Sequence, residues 1–504
     1  MQNNLLEYVD NIVSTCPGKI AYSDGTDGLT HLDIYNISRS VGSFLLSKDL
    51  NREPVVVFMG RKPLTVAAFF GVIRSGCFYV PLDSEMPRHR IELIFESLKP
   101  RAVIFDEDTE EAVKSLDYQG KAYLIDDIKD YPADETNLNF IRDISLDTDP
   151  VYVVFTSGST GTPKGVVACH RSVIDYVENL SEVLQINDET VFGSQAPLYV
   201  DACLKELFPT FKFGAQTVLV PKELFMFPVR LVEFLNTHKI NTVCWVASAL
   251  SLVSGFKTFN TVTPEHLKTI AFGSEVFPVK QLNEWRRVLP DSQFINLYGP
   301  TEATGMSCYY KVEREFETDE VIPIGRPFKN TEILLINDGK RITAPDIASE
   351  ICIRGTALTH GYYNNPEMTA KAFVQNPLNT SFDEKIYLTG DLAKYNTAGE
   401  LIYISRKDYQ VKHMGHRIEL GEIESAVNTM DGIKSACCIF DDIKKKIVLY
   451  YSAEHEPAAL IGYLKQKLPR YMLPGVVNRL DTMPLTSNGK IDRKYLKEMY
   501  EVKK

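Results

Sequence analysis

Short uninterrupted apolar runs alternate with stretches whose apolar positions recur at helical spacing. Residues 54–59 (PVVVFM) read as a buried strand, and residues 64–74 (LTVAAFFGVIR) follow with the spacing of a helix. Residues 103–105 and 123–125 read as further short strands. This alternation predicts a mostly parallel sheet covered by helices. The pattern changes near residues 406–408, where the strand LIYIS ends in charged positions. Beyond lie a glycine-containing loop (415–420), an amphipathic helix (422–430) and a hairpin-like pair, SACCIF and KIVLYYS, around the polar DDIKK. That is a small α+β unit, near the lower end of domain size. The predicted class is therefore α/β: a large N-terminal domain of layered sheets and helices over 1–407, then a small C-terminal α+β domain over 408–504. No period of 20 to 50 residues marks a solenoid.

The chain has 504 residues, 44% hydrophobic and 24% charged, the balance of a globular protein. No apolar run is long enough to span a membrane, and the first residues lack a basic and apolar leader, so a cytoplasmic location is expected. Nine scattered cysteines read as reduced thiols. Cys437 and Cys438 lie in a predicted strand and read as core. The net charge of −11 argues against a nucleic-acid partner. Residues 405–504 carry 18 Lys+Arg against 13 Asp+Glu, so a basic module sits on an acidic body.

Four segments carry candidate chemistry. A strand opens into Thr156, Ser157, Gly158, Ser159, Thr160, Gly161, Thr162, Pro163, Lys164 and Gly165. Glycines let backbone approach an anion, hydroxyls and N–H groups donate, and lysine adds charge. A triphosphate suits this loop, although it does not match the Walker pattern. The second segment is Asn296-Leu297-Tyr298-Gly299-Pro300-Thr301-Glu302, an aromatic beside a turn with a carboxylate that suits Mg²⁺. The third, Tyr387-Leu388-Thr389-Gly390-Asp391, ends an apolar strand in an aspartate placed to accept ribose hydroxyls. The fourth, Ser487 to Arg493, presents Lys490 on an Asn-Gly turn.

In this order the four segments resemble the adenylate-forming superfamily, specifically the amino-acid adenylation domains of non-ribosomal peptide synthesis and the D-alanine–carrier-protein ligases. The resemblance covers nearly the whole chain. It extends to Leu29-Thr30-His31-Leu32, residues 74–83, Gly361-Tyr362 through Thr369, and residues 408–420. It implies ATP-dependent activation of an amino acid as aminoacyl-AMP with release of pyrophosphate. Transfer to the phosphopantetheine thiol of a carrier protein would follow. No carrier or condensation motif is found in the sequence, so the carrier is expected in trans.

The resemblance also implies residue roles. The 156–164 loop would wrap the β- and γ-phosphates. Tyr298 would stack on adenine, Asn296 and Gly299 would join the nucleotide-binding set, and Thr301 and Glu302 would serve phosphate and Mg²⁺. Asp391 would bind the ribose, with Arg406 beside it. Lys490 would bridge the substrate carboxylate and the α-phosphate, and Asp408 would be the hinge of the small domain. Asp201 matches the acid that meets the substrate's ammonium group; an N-cap for the following helix is the alternative. The side-chain pocket would be lined by Ala202, Lys205, Trp245, Ile270, Phe272, Leu297, Gly305 and Met306. Bulky Trp245 and Phe272 would favour a small, alanine-like substrate, D-alanine included. An inward Lys205 would instead favour an acidic amino acid, and a snorkelling Lys205 would carry no such meaning. An acyl- or aryl-CoA ligase and a non-catalytic binding relative are the remaining alternatives.

Overall fold

A computed structural model describes residues 2–158, 161–453, 455–486 and 491–502. The chain divides into a large unit (Met1–Ser84, Lys99–Val154 and Gly165–Lys407) and a small unit (Glu85–Leu98, Phe155–Lys164 and Asp408–Lys504).

The large unit is layered from sheets. The central strand of one six-stranded sheet is Pro54–Phe58, buried along its whole length and paired in parallel with Phe78–Pro81 and Ala102–Phe105. Helix Pro63–Arg74 returns the chain between the first two, with proline at its start. Lys121–Leu124 pairs in parallel at one end, and Ile125 already opens the next helix. A nine-stranded sheet holds Gln293–Tyr298, Thr269–Gly273, Thr242–Val246, Val191–Ser194 and Gln216–Leu219 in that order, all parallel. Thr30 starts helix His31–Leu46 with a capping box: its side chain accepts from the Asp33 N–H, and Asp33 accepts from the Thr30 N–H.

The expectation of a mostly parallel sheet is incomplete. A third sheet is antiparallel throughout and is built from Thr331–Asn337, Ser349–Gly355, Phe373–Gln375, Lys385–Tyr395 and Leu401–Arg406, with the short Lys340–Arg341. Lys340–Arg341 and Leu401–Arg406 each pair with the strand just before them through a short turn, which needs no crossover helix.

In the small unit, strands Gln410–His413 and His416–Glu419 form a hairpin, and helix Leu420–Asn428 follows directly, two residues earlier than expected. Strands Ile433–Asp441 and Lys446–Ala453 pair antiparallel, and Val476–Arg479 adds in parallel. Ile418, Ile423, Cys438, Leu449, Leu460 and Met472 are buried together in one core. Helix Arg88–Leu98 belongs to this unit, and its Arg90 is ion-paired with Glu422 at side-chain exposures of 5% and 3%.

Candidate active site

The expected site residues separate into groups that each unit assembles by itself. In the large unit, strand Gln293–Tyr298 ends at the tight turn that carries Thr301 and Glu302. A β-carbon on Gly299 would collide with the Gly305 carbonyl oxygen, so the turn requires glycine there. Tyr298 is 6% exposed and donates its hydroxyl to Asp391 Oδ2 at 2.6 Å. Burial, and then the Asp391 charge, push the Tyr298 phenol well up, so it keeps the proton it donates. Arg406 donates to the other oxygen, Oδ1, at 2.8 Å. Asp391 and Arg406 face each other across the antiparallel pair that carries them. Asp391 is thus held at both oxygens, by Arg406, expected beside it, and by Tyr298, expected at adenine. Asn296, expected among the nucleotide-binding residues, donates its side-chain amide to the Pro323 carbonyl and is buried.

Glu302 is fully buried. Its Oε1 accepts from the Tyr362 hydroxyl at 2.8 Å, and its backbone carbonyl accepts from both the N–H and the hydroxyl of Thr359 at 3.0 Å each. No sequence signal linked Glu302 to Tyr362, sixty positions away. Among the described residues no group of three or more His, Cys, Asp or Glu could hold a metal. A single carboxylate completed by phosphate oxygens is nevertheless a donor set that suits Mg²⁺. Glu302 therefore fits that ion as an auxiliary ligand.

Asp201 opens a short 3₁₀ turn, Asp201–Cys203, ahead of helix Leu204–Phe213. The N-cap positions of these two elements are Val200 and Cys203, and neither side chain makes a capping bond. The Asp201 charge acts on the phenols of Tyr152 and Tyr176, both fully buried and pushed up mainly by burial. Gly305 lies beside the Tyr176 ring. Ala202 packs against the same core, which also contains Leu297, Met306, Cys244 and Ala271.

Three pocket expectations need correction. Trp245, Ile270 and Phe272 belong to a different core, on the opposite face of the nine-stranded sheet. The register leaves no doubt of the face: Cys244 pairs with Ala271 and Ala271 with Ile295, while Trp245 pairs with Phe272. Trp245 is fixed there by donating its indole N–H to the Gly193 carbonyl at 2.7 Å. The residues these strands turn toward the Asp201 side are Cys244 and Ala271, both smaller. The snorkelling expectation for Lys205 also fails, because Lys205 is 3% exposed. Residues 204–211 of its helix are all buried, so that helix offers no solvent face to reach.

Two further ionisable side chains carried no signal in the sequence, buried Glu206 and part-buried Arg61. Glu206 is 1% exposed and neither carboxylate oxygen has a hydrogen-bond partner. Burial pushes it up to about 8, against the opposing pull of Lys205 and Arg61. Arg61 donates to the carbonyls of Ser194 (2.7 Å), Val220 (2.9 Å) and Ala196 (3.3 Å), joining the end of the Pro54–Phe58 strand to the ends of two strands of the other sheet.

The small unit contains the glycine-rich loop. Ser157 donates its hydroxyl to the Arg417 carbonyl at 2.7 Å. The Gly158 N–H donates to Glu422 Oε2 at 3.2 Å, and Lys164 Nζ lies 3.5 Å from Glu419 Oε1. A β-carbon at Gly158 would collide with the Thr162 carbonyl, which explains a glycine here. The hydroxyl of Thr156 is buried without a partner, and the Gly161 N–H closes a turn onto the Gly158 carbonyl. Asp408 is exposed and accepts from the Gln410 N–H. Ser159, Thr160 and Lys490 lie outside the described residues.

Residues 9–363 match the family described as AMP-binding enzyme, and residues 422–490 match the AMP-binding enzyme C-terminal domain. The chain is 31% identical over 488 residues to tyrocidine synthase 1 of Brevibacillus parabrevis, covering 96% of this chain and 44% of that protein. It is 32% identical over 469 residues to a dimodular nonribosomal peptide synthase of Bacillus subtilis (strain 168), covering 90% and 19%. The chain thus spans less than half the length of these relatives. Among solved structures, the Vibrio cholerae adenylation domain AlmE in complex with glycyl-adenosine-5'-phosphate aligns with a TM-score of 0.83 at 19% identity, over 100% of this chain and 98% of that one. A four-domain nonribosomal peptide synthetase bound to AMP and glycine aligns with a TM-score of 0.70 at 26% identity, over 98% and 36%.

Proposed function

Because the chain belongs to the AMP-binding enzyme family, we propose that it is an AMP-forming amino-acid ligase. In this reading it joins an amino-acid carboxylate to the α-phosphate of ATP with release of pyrophosphate. It then passes the aminoacyl group to the phosphopantetheine thiol of a carrier protein supplied in trans. The observation that carries the reading is Asp391, buried and held at both oxygens by Tyr298 and Arg406. A carboxylate fixed this firmly keeps its orientation when ribose hydroxyls are offered to it, and positioning is most of what nucleotide chemistry asks of a protein. The ring of Tyr298, anchored through its hydroxyl, then offers a face for adenine.

The reaction needs no covalent nucleophile. The substrate carboxylate attacks the α-phosphorus, and charge accumulates on the phosphate oxygens as pyrophosphate leaves. Lys490 is assigned to that charge, and the 156–164 loop to the β- and γ-phosphates. Bound Mg²⁺ would neutralise phosphate charge, with Glu302 holding it through one carboxylate. Thr301 would supply a hydroxyl to the phosphates.

Asp201 is assigned to the substrate ammonium. A carboxylate amid buried phenols is costly unless a cation meets it, and a fatty or aryl acid brings none. The argument for a short side chain has lost its two bulky residues to the far face of the sheet. The buried position of Lys205, one helical turn beyond Asp201, supports an acidic amino acid as the second reading of substrate choice. Pyrophosphate exchange across amino acids of both chiral forms tests both readings. An amino acid should be activated, and Asp201→Asn should raise its KM steeply while sparing that of ATP. Equal activation of propionate and alanine would refute the amine assignment. A preference for alanine over glutamate that survives Lys205→Ala would refute the acidic reading.

A further inference from the structure

Tyr362 stands where three independent restraints meet. Its backbone forms a β-bridge with Val166, and the flanking hydrogen bonds continue that ladder: Val167 N–H to the Gly361 carbonyl, His360 N–H to the Val167 carbonyl, and Tyr363 N–H to the Gly165 carbonyl at 2.7 Å. Gly165 is the residue directly after Lys164 in the chain. The Tyr362 N–H is itself held by the Thr369 hydroxyl at 2.9 Å. Its ring packs in a small core with Val166, Phe373 and Tyr387. From this fixed base the hydroxyl reaches Glu302 Oε1 at 2.8 Å. Thr359, three residues earlier, holds the Glu302 backbone by two further bonds.

We infer that Tyr362 is a positioning residue for the metal-binding carboxylate: its hydroxyl fixes the orientation in which Glu302 presents itself to Mg²⁺. The inference rests on the assignment of Glu302 made above and adds the residue that sets its geometry. A ligating carboxylate on a short turn has several accessible rotamers, and selecting one in advance removes that entropy cost from metal binding. Donors behind a ligand of this kind are typically worth about 10- to 100-fold in metal affinity. The position of the hydroxyl is set by the ladder that ties residues 360–363 to residues 165–167.

The test compares Tyr362→Phe and Glu302→Gln in the full chain. The phenylalanine keeps the ring and its packing and removes only the hydroxyl. Protein-bound Mn²⁺ is titrated by proton relaxation enhancement in the presence of saturating α,β-methylene ATP, and metal-free nucleotide affinity is measured separately. Tyr362→Phe should weaken Mn²⁺ binding about 10-fold or more and leave metal-free nucleotide affinity near wild type, while the melting temperature falls modestly because a buried carboxylate oxygen loses its donor. Glu302→Gln should lose at least as much. Wild-type Mn²⁺ affinity in Tyr362→Phe, alongside a loss in Glu302→Gln, overturns the positioning role and leaves the Glu302 assignment standing. Wild-type Mn²⁺ affinity in Glu302→Gln overturns that assignment itself, and with it the inference.

Discussion

Glu206→Gln should make the protein more stable, and by an amount that grows with pH. Glu206 is buried with neither oxygen hydrogen-bonded, and burial lifts it from an ordinary 4.5 to about 8. The folded protein therefore keeps this proton at pH values where the unfolded chain has released it. Stability must then fall as pH rises through that window, because the unfolded state binds fewer protons. One proton is worth ~1.4 kcal/mol per pH unit, so the loss accumulated by pH 7 is roughly 3 kcal/mol. Glutamine has nearly the same shape and does not ionise, so it escapes the loss. Urea denaturation of both proteins at pH 5, 6, 7 and 8 isolates the effect, since the other titrating groups cancel in the difference. The mutant's advantage should widen by about 1 kcal/mol per unit and level off above pH 8. A difference that stays constant with pH would refute the reasoning and require a partner for the carboxylate.

Two further expectations concern the half-reactions. Lys490→Ala should lower pyrophosphate exchange on the order of 10²- to 10³-fold, the usual cost of one transition-state charge contact, while equilibrium ATP binding persists; unchanged exchange in a folded mutant refutes the assignment. Asp408→Pro should preserve exchange and slow loading of a carrier protein, because proline fixes φ near about −65° where the hinge needs freedom; equal effects on both steps place the hinge elsewhere.

Much of the fold could be read because local pattern and tertiary role agree. The run at 54–59 became the buried strand Pro54–Phe58, and the pair around DDIKK became the hairpin Ile433–Asp441 and Lys446–Ala453. The misreadings have physical causes. Thr242–Val246 and Thr269–Gly273 are buried at every position, so neither strand shows the alternation that would say which way Trp245 or Phe272 points. Motif register alone decided it, and one residue of slip reverses the face. Lys205 stayed open between an inward and a solvent-reaching reading because a lysine on a helix normally has a wet side, and this helix has none over 204–211. The bond from Tyr362 to Glu302 joins positions that no periodicity connects.

A backbone N–H has room for one anion. In the small unit the Gly158 N–H already serves Glu422, a carboxylate tethered to the same folded body and backed by Arg90. Any soluble anion that comes to this N–H therefore enters an exchange, not an addition. It must outcompete a rival whose effective concentration does not dilute, commonly in the millimolar range for tethered groups. The departing carboxylate also strips Arg90, 5% exposed, of its counter-charge. On the phosphate-binding role proposed for this loop, a polyphosphate that also meets Lys164 would bring more contacts to that exchange than a monoanion, so the loop would select its anion by charge count.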